Sequence, residues 1–365
     1  ISRSYQFGWT NETYTLFEHC RRALEKGATS GVHGLPLIGS GDWNDGFNQV
    51  GSQGKGESVW MGWFLIEVLN RFAVICEQRG LAEEAQTYRL KAIEYGKAIE
   101  QQSWDGDWYL RAYYDDGSPL GSHLSQECQI DAIAQSWSVL SGVGNPEHSR
   151  QAMKSVWDRL VDPANNLALL FTPPFDKSAK DPGYIKDYPP GVRENGGQYT
   201  HASTWTAWAY AAMGDGERAW HLFDMLNQIY QTDKEERAVH YRVEPYICAA
   251  DVYSMEPMKR RGGWTWYTGS ASWLYRLGVE RLLGLHKKGD SLYVNPVIPA
   301  RWDGFSMSYG FFDSKYKIEV RNPDHLQKGV REVRLDGELL ENQAIPLTND
   351  GKEHNVEVIL GAGAK

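Results

Sequence analysis

The sequence predicts a mainly α fold over residues 1–285 followed by a small antiparallel β-sandwich domain over residues 286–365. Three observations carry that reading. Apolar residues recur at helical spacing in eight segments before residue 285. Glycines close several of these segments. After His286 the period changes to the two-residue alternation of strands. Helix pairs capped by a β module are the sequence form of a helical toroid with a sandwich packed on it.

Taken in order, the helical stretches are 12–26, 58–78, 81–102, 126–141, 147–161, 201–213, 215–231 and 269–284, with Gly27, Gly80 and Gly214 as stops. Residues 104–120 alternate and contain Asp-Asp-Gly, a hairpin signature. Residues 172–199 form a Pro- and Gly-rich loop, and loops of that length in a compact domain usually carry function. In the last segment SLYVNPVIP, SMSYGFF, KYKIEVRNP, VREVRLDGELL and HNVEVIL read as strands. Turns such as Asp336-Gly337 and Asn349-Asp350-Gly351 separate them.

The net charge of −9 argues against a nucleic-acid partner, whose phosphates need a basic face. No uninterrupted run of about 18 apolar residues exists, so the expectation is a segment without membrane contact of its own. The start lacks the layout of a secretory signal and an initiator Met, as expected for a piece of a longer chain. Asn11-Glu12-Thr13, without a secretory signal, reads as a chance glycosylation triplet. Cys20, Cys76, Cys128 and Cys248 lie far apart with no C-x-x-C pair. They read as buried free thiols of a reducing, cytoplasmic compartment, with neither a disulfide frame nor a zinc site.

The 15 Trp and 20 Tyr are the informative numbers, because Trp43, Trp104, Trp108, Trp264 and Trp266 fall in predicted loops. Most aromatics serve cores, but those flanked by Gly and Asp suit the apolar face of a sugar. Four segments combine glycines with acids, Trp, His or Thr: GSGDWNDG (39–46), GKGESVW (54–60), YPPGVRENGGQYTH (188–201) and RGGWTWYTGSAS (261–272). A calcium loop fails on register, since no start in the first segment puts ligands at positions 1, 3 and 5 with Gly at 6. A plain Asx turn and a sugar-cleaving acid both remain. For the acid, Trp43 is a candidate wall for Asp45 or Asp42, raising a carboxyl pKa by desolvation. Ordinary glycoside hydrolysis needs a second carboxylate, for which Glu57, Glu194 and Glu244 are candidates. Thr268 opens a helix and reads first as its N-cap, and the free N–H groups behind Gly269 also suit an anion. His201 opens another helix as a cap, a packing residue or a ligand.

DWND, GESVW, the run ending in RENGGQYTH, VEPY (243–246) and GGWTWYTGSA together resemble the inverting β-glycoside phosphorylases of glycoside hydrolase family 94. The resemblance covers nearly the whole chain in family order. It looks closest to the C-terminal phosphorylase-like module of cyclic β-1,2-glucan synthases. It implies an (α/α)6-toroid, here partial because the family's N-terminal β-sandwich and first barrel helices have no counterpart, followed by the small β domain. It implies Asp45 as the general acid, with Trp43 lining the subsite of the transferred sugar. Tyr188 and Arg193 fall where the family contacts the accepting sugar, Glu194 counts as a further substrate-binding residue, and His201, Thr268 and Gly269 match the phosphate cradle. Arg193 stands where cellobiose phosphorylases carry Lys, which argues against cellobiose itself. The implied partners are a β-glucan oligosaccharide and inorganic phosphate as co-substrate, with no resident cofactor. A homodimer and an inner-membrane parent are also implied. The rival readings are a cellobiose- or cellodextrin-type phosphorylase, an inverting hydrolase and a catalytically incomplete glucan-binding fragment.

Overall fold

The computed structural model describes residues 12–362, so Asn11 of the glycosylation triplet lies outside the described residues. Helix α1 (Leu16–Gly27) starts where Thr15 accepts a hydrogen bond from the Glu18 amide, and its Phe17 stacks on Phe72. Three helical hairpins follow: α2 (Val59–Gln78) with α3 (Ala82–Gln102), α4 (Ala132–Leu140) with α5 (Pro146–Leu160), and α6 (Thr200–Met213) with α7 (Gly216–Leu226). The first helix of each pair packs on the next, α2 on α4 and α4 on α6, and α10 (Ser270–Arg276) continues the series against α6. Short helices α8 (Gln228–Thr232) and α9 (Glu235–Tyr241) lie between α7 and α10.

Inner position explains composition. Helix α2 buries ten of its twenty residues, the face turned to the protein, while Phe64, Val74 and Ile75 stay exposed. It is long and apolar enough to cross a membrane, a length-and-hydropathy match that counting uninterrupted runs had not raised, yet more than half of that stretch is buried in the fold. Gly62 permits its close approach to α3, since a Cβ there would sit 2.9 Å from the Ile99 side chain.

The structure corrects several expected boundaries. Helix α4 begins at Ala132 because Ile130–Asp131 pairs with Phe171–Thr172 and the Asp131 carboxylate caps the helix. The single helix expected over 215–231 breaks at Asn227, whose side chain caps α8. Helix α10 passes into a π turn over Leu277–Leu282. The expected hairpin forms, with Ala112–Tyr113 paired to Pro119–Leu120. Loop 172–199 is tied down: the buried Asn195 side chain bonds the Phe175 backbone and the Tyr188 carbonyl, and Glu127 accepts three amides of residues 176–178. Trp108 is a core residue, its indole N–H bonded to the carbonyls of Gly121 and Gln129, and Trp104 stacks on His148. Cys76, Cys128 and Cys248 are buried thiols, while Cys20 is half-buried.

The C-terminal region has two sheets around one buried core. Leu285–Lys288, Ser291–Val294 and Ile345–Pro346 form the smaller sheet, which contributes Leu292, Val294 and Ile345 to that core. The larger orders Gly304–Phe311, Ser314–Arg321, Glu353–Leu360, Val330–Leu335 and Glu338–Leu339, contributing Tyr316, Ile318, Val320, Val356 and Val358. Two of its three eight-residue strands, Ser314–Arg321 and Glu353–Leu360, pair in parallel. The sheet is therefore mixed, not purely antiparallel, because the long segment between them carries three further strands, two in this sheet and one in the smaller, and crosses over. This region sits on the start of α7: Trp302 packs on Trp220 at 4.6 Å, and Glu217 accepts the Ala300 amide and pairs with Arg301.

Candidate active site

Helices α2, α4 and α6 each begin directly after a two-residue strand, Glu57–Ser58, Ile130–Asp131 and Gln198–Tyr199. The 39–46 loop is bonded toward all three starts. Asp42 accepts from the Ser58 hydroxyl at 2.6 Å and from both Nη atoms of Arg111 at 2.7 Å. The same guanidinium lies 3.2 Å from the Asp131 carboxylate, in ion-pair range though not aligned as a hydrogen bond. Trp43 reaches the start of α6, its indole N–H donating to His201 Nδ1 at 3.4 Å. One loop thus meets three helix starts through side chains far apart in sequence.

These contacts separate the two aspartates. Burial pushes the Asp42 carboxyl up, but the Arg111 charge and the hydrogen bonds from Arg111, Ser58 and the Asn44 amide outweigh it, so the group is held below the usual carboxylate range. Asp131 has fewer bonds, and burial raises it to about 6 against the pull of Arg111. Arg111 is fully buried, with its charge balanced by these two acids. Asp42 is therefore an anchor held ionised near neutral pH, with its oxygens engaged.

Asp45 is exposed and opens a one-turn 3-10 helix, Asp45–Phe47, capped by the Asn44 side chain. The turn is packed too closely for side chains at its glycines. A Cβ at Gly41 would sit 2.9 Å from the Asp45 Cα, and one at Gly46 would sit 2.9 Å from Ile185. The second contact docks residues 182–188 of the long loop against the acid turn, where the Tyr184 amide bonds the Asn48 side chain at 3.0 Å. Burial of the Tyr184 phenol, with the nearby Asp45 carboxylate second, pushes its pKa up. The aromatic group whose titration senses the exposed acid is Tyr184. Trp43, expected as its wall, packs instead among Tyr199, His201 and Trp205.

His201 sits in a cage of Trp43, Trp205 and Trp273, with its ring 4.4 Å from Trp205. Burial pulls its pKa down to about 4, so it is neutral near pH 7. Because Nδ1 accepts from Trp43, the ring proton belongs on Nε2, which is buried and has no hydrogen-bond partner among the described residues. Trp273 belongs to α10 and joins His201 to the turn that starts that helix. There Gly269, not Thr268, is the capping residue; the Thr268 hydroxyl accepts the Ser270 amide at 3.1 Å and contacts the Ser270 hydroxyl. Gly269 is exposed, and a Cβ on it would meet nothing within 4 Å.

The remaining predicted residues form an adjoining group. Arg193, with backbone φ of +52°, lies over the Tyr188 ring at 5.2 Å and the Trp264 ring at 5.8 Å, and its Nε is 3.3 Å from Glu194. Glu194 is buried, and burial first, then the Glu194 charge, raises the pKa of the Tyr199 phenol, whose ring meets Trp43 edge-on. Of the candidate second acids, Glu57 is buried and spent on the amides of His33 and Leu35 and on the His33 ring. Glu244 is exposed and holds the Trp266 indole at 3.4 Å. Arg111, Asp131, Tyr184, Trp205 and Trp273 were not singled out from sequence. Arg111 did leave a signal, as the lone charge in WYLRAYY (108–114), where a cation inside an apolar strand calls for a buried partner.

Residues 6–284 match the model of the glycosyl hydrolase 94 superfamily catalytic domain. The chain is 50% identical over 311 residues to a cyclic β-(1,2)-glucan synthase of Rhizobium meliloti, covering 85% of this chain and 11% of that protein. It is 33% identical to a solabiose phosphorylase of Paenibacillus borealis over 94% of this chain and 44% of that one. An N,N'-diacetylchitobiose phosphorylase of Vibrio proteolyticus shows 30% identity over 95% of this chain and 43% of that one. The chain therefore spans less than half the length of these relatives. Among solved structures, a sialidase superposes with a TM-score of 0.55 at 14% identity, covering 80% of this chain and 26% of that one, a likeness of fold alone.

Proposed function

The chain belongs to the glycosyl hydrolase 94 superfamily, and from that premise we propose that it is the phosphorylase-type catalytic part of a cyclic β-1,2-glucan synthase-like protein. It transfers a glucosyl unit between a β-linked glucan and inorganic phosphate with inversion, giving α-glucose 1-phosphate. Residues 1–285 are the catalytic region, an arc of an (α/α)6-toroid, and residues 286–365 the β-sandwich domain packed on it.

One observation carries the reading: of two neighbouring aspartates, Asp42 is engaged on every side by buried partners while Asp45 is exposed on a tightly packed turn. Asp45 protonates the departing glycosidic oxygen, with the Tyr184 hydroxyl orienting it. Phosphate attacks the anomeric carbon from the other side, the C–O bond to the leaving sugar breaks, and the proton stays with that oxygen. An anionic nucleophile needs no general base, so a single carboxyl suffices. The protein's task is then positioning and charge stabilisation. The neutral His201, whose Nε2–H is unpaired, and the Thr268-Gly269 turn receive the phosphate. Trp43 lines the transferred sugar. Tyr188, Arg193 and Glu194 receive the accepting one. The reading calls for phosphate as co-substrate and for no resident cofactor.

Phosphorus NMR of the chain with inorganic phosphate and short β-1,2- or β-1,4-linked glucans tests this. A growing α-glucose 1-phosphate resonance supports it, and the faster substrate names the linkage. Free glucose released without phosphate overturns it for hydrolysis, which requires a second carboxylate about 6.5–9.5 Å from the acid. Binding without turnover of either kind overturns it for a glucan-binding module.

A further inference from the structure

Three aromatic side chains that the site does not absorb stand in solvent beside Trp264, which borders it. Tyr246 is 68% exposed, Trp264 56%, Trp266 70% and Tyr267 83%. Scattered surface aromatics need no explanation, but these come from two neighbouring loops. Trp266 meets Tyr246 edge-on at 6.4 Å and bonds Glu244 through its indole N–H. Folding should have hidden such rings, and nothing in their backbone prevents it through slackness. The Trp264 amide is bonded to Asp251 at 2.9 Å, and its carbonyl accepts the Ala250 amide at 2.7 Å. Trp266 itself is held at φ +66°, a conformation that is a costly outlier for a bulky residue. A pinned loop base and a strained backbone together present an indole outward.

The ledge is continuous with the group formed by Tyr188 and Arg193, because the Arg193 guanidinium lies over the Trp264 ring as well as the Tyr188 ring. We infer that Trp266, Tyr267 and Tyr246 form an outer binding ledge for a linear β-linked glucan, taking glucosyl units beyond the accepting sugar. The inference rests on the assignment of Tyr188 and Arg193 to that sugar and names the substrate class as a chain rather than a disaccharide. The chemistry fits such an occupant. Flat rings face the C–H side of pyranoses, and the interleaved Glu244 carboxylate accepts from hydroxyls. Transfer of one terminal unit leaves the rest of the chain on the accepting side, which is where the ledge lies.

The test measures binding of a β-1,2-linked disaccharide and of a long linear β-1,2-glucan to the 365-residue chain by calorimetry, without phosphate. The long glucan should bind on the order of tenfold more tightly, as expected when two or more ring faces are covered. Trp266→Ala combined with Tyr267→Ala should bring the long glucan down to the disaccharide level, leaving disaccharide affinity and thermal unfolding unchanged. Tyr246→Ser gives a second, independent reading of the same length dependence. Equal affinity for both ligands in the unaltered chain overturns the ledge, as does equal loss of both in the double variant. So does a double variant that converts a dimer to a monomer in sedimentation while glucan binding stays as it was, since a second copy then covers the rings. Length-dependent binding without any phosphorolysis would support the ledge and overturn only the phosphorylase reading.

Discussion

Replacing Arg111 with Met removes the one cation between two buried carboxylates. Asp42 would lose two hydrogen bonds of 2.7 Å and keep those from Ser58 and the Asn44 amide, while Asp131 would keep only its cap bond to the Ile133 amide. Breaking a buried ion pair from one side costs about 3–5 kcal/mol, because the surviving charge stays buried without compensation. Against a total stability of about 5–15 kcal/mol the variant should fold, marginally. The sign of its pH dependence follows from the shifts. In the unaltered protein the lowered Asp42 contributes stability that is present above its unfolded pKa and lost as pH falls through its folded one. Without Arg111, desolvation dominates both acids and raises them. A raised acid contributes stability present below its unfolded pKa and lost as pH rises through its folded pKa, so the variant should suffer more at pH 8 than at pH 5. Urea unfolding at those two pH values measures this through the midpoint at constant slope. Adding Asp42→Asn should recover part of the loss, a coupling expected of residues in direct contact. A loss below about 1 kcal/mol at pH 8, or an equal loss at both pH values, would refute the account of a charge-balanced anchor.

Asp45→Asn should cut phosphorolysis of unactivated glucans by about 10²–10⁴-fold while leaving the Tm unchanged, because the side chain is exposed. Asp42→Asn should do the reverse and lower the Tm first; if kinetics and thermal scans show the opposite ranking, the two roles are exchanged. Thr268→Ala should raise the phosphate KM about fivefold, the worth of one hydrogen bond, and the glucan KM less. Steady-state kinetics that raise both equally would leave the hydroxyl only its bond to Ser270. His201 has its pKa depressed from 6.5 to about 4, so it contributes stability present above 6.5 and lost as pH falls toward 4. His201→Gln, which keeps a side-chain donor, should therefore flatten the Tm profile across that interval, and an unchanged slope would sink the assignment of a buried neutral ring.

Nearest neighbours along the chain settle a large part of this fold. The stop at Gly214, the Asp-Asp-Gly hairpin and the change of period after His286 rest on backbone freedom, turn chemistry and alternation, which act over a few residues. Asp45, Trp43, His201, Tyr188, Arg193, Glu194 and Thr268 could be singled out too, as candidates, because their motifs resemble a family pattern. Tertiary structure alone decided which of two similar aspartates is buried. That depends on Arg111, 69 residues away, whose charge only the fold can carry to Asp42. It also decided that Trp43 meets His201 across 158 residues and that Trp108 is core rather than sugar platform. The direction of the crossover that makes the larger sheet mixed belongs with these. Local propensities cannot set such outcomes, because burying a charge or an aromatic depends on what the rest of the chain brings to the other side.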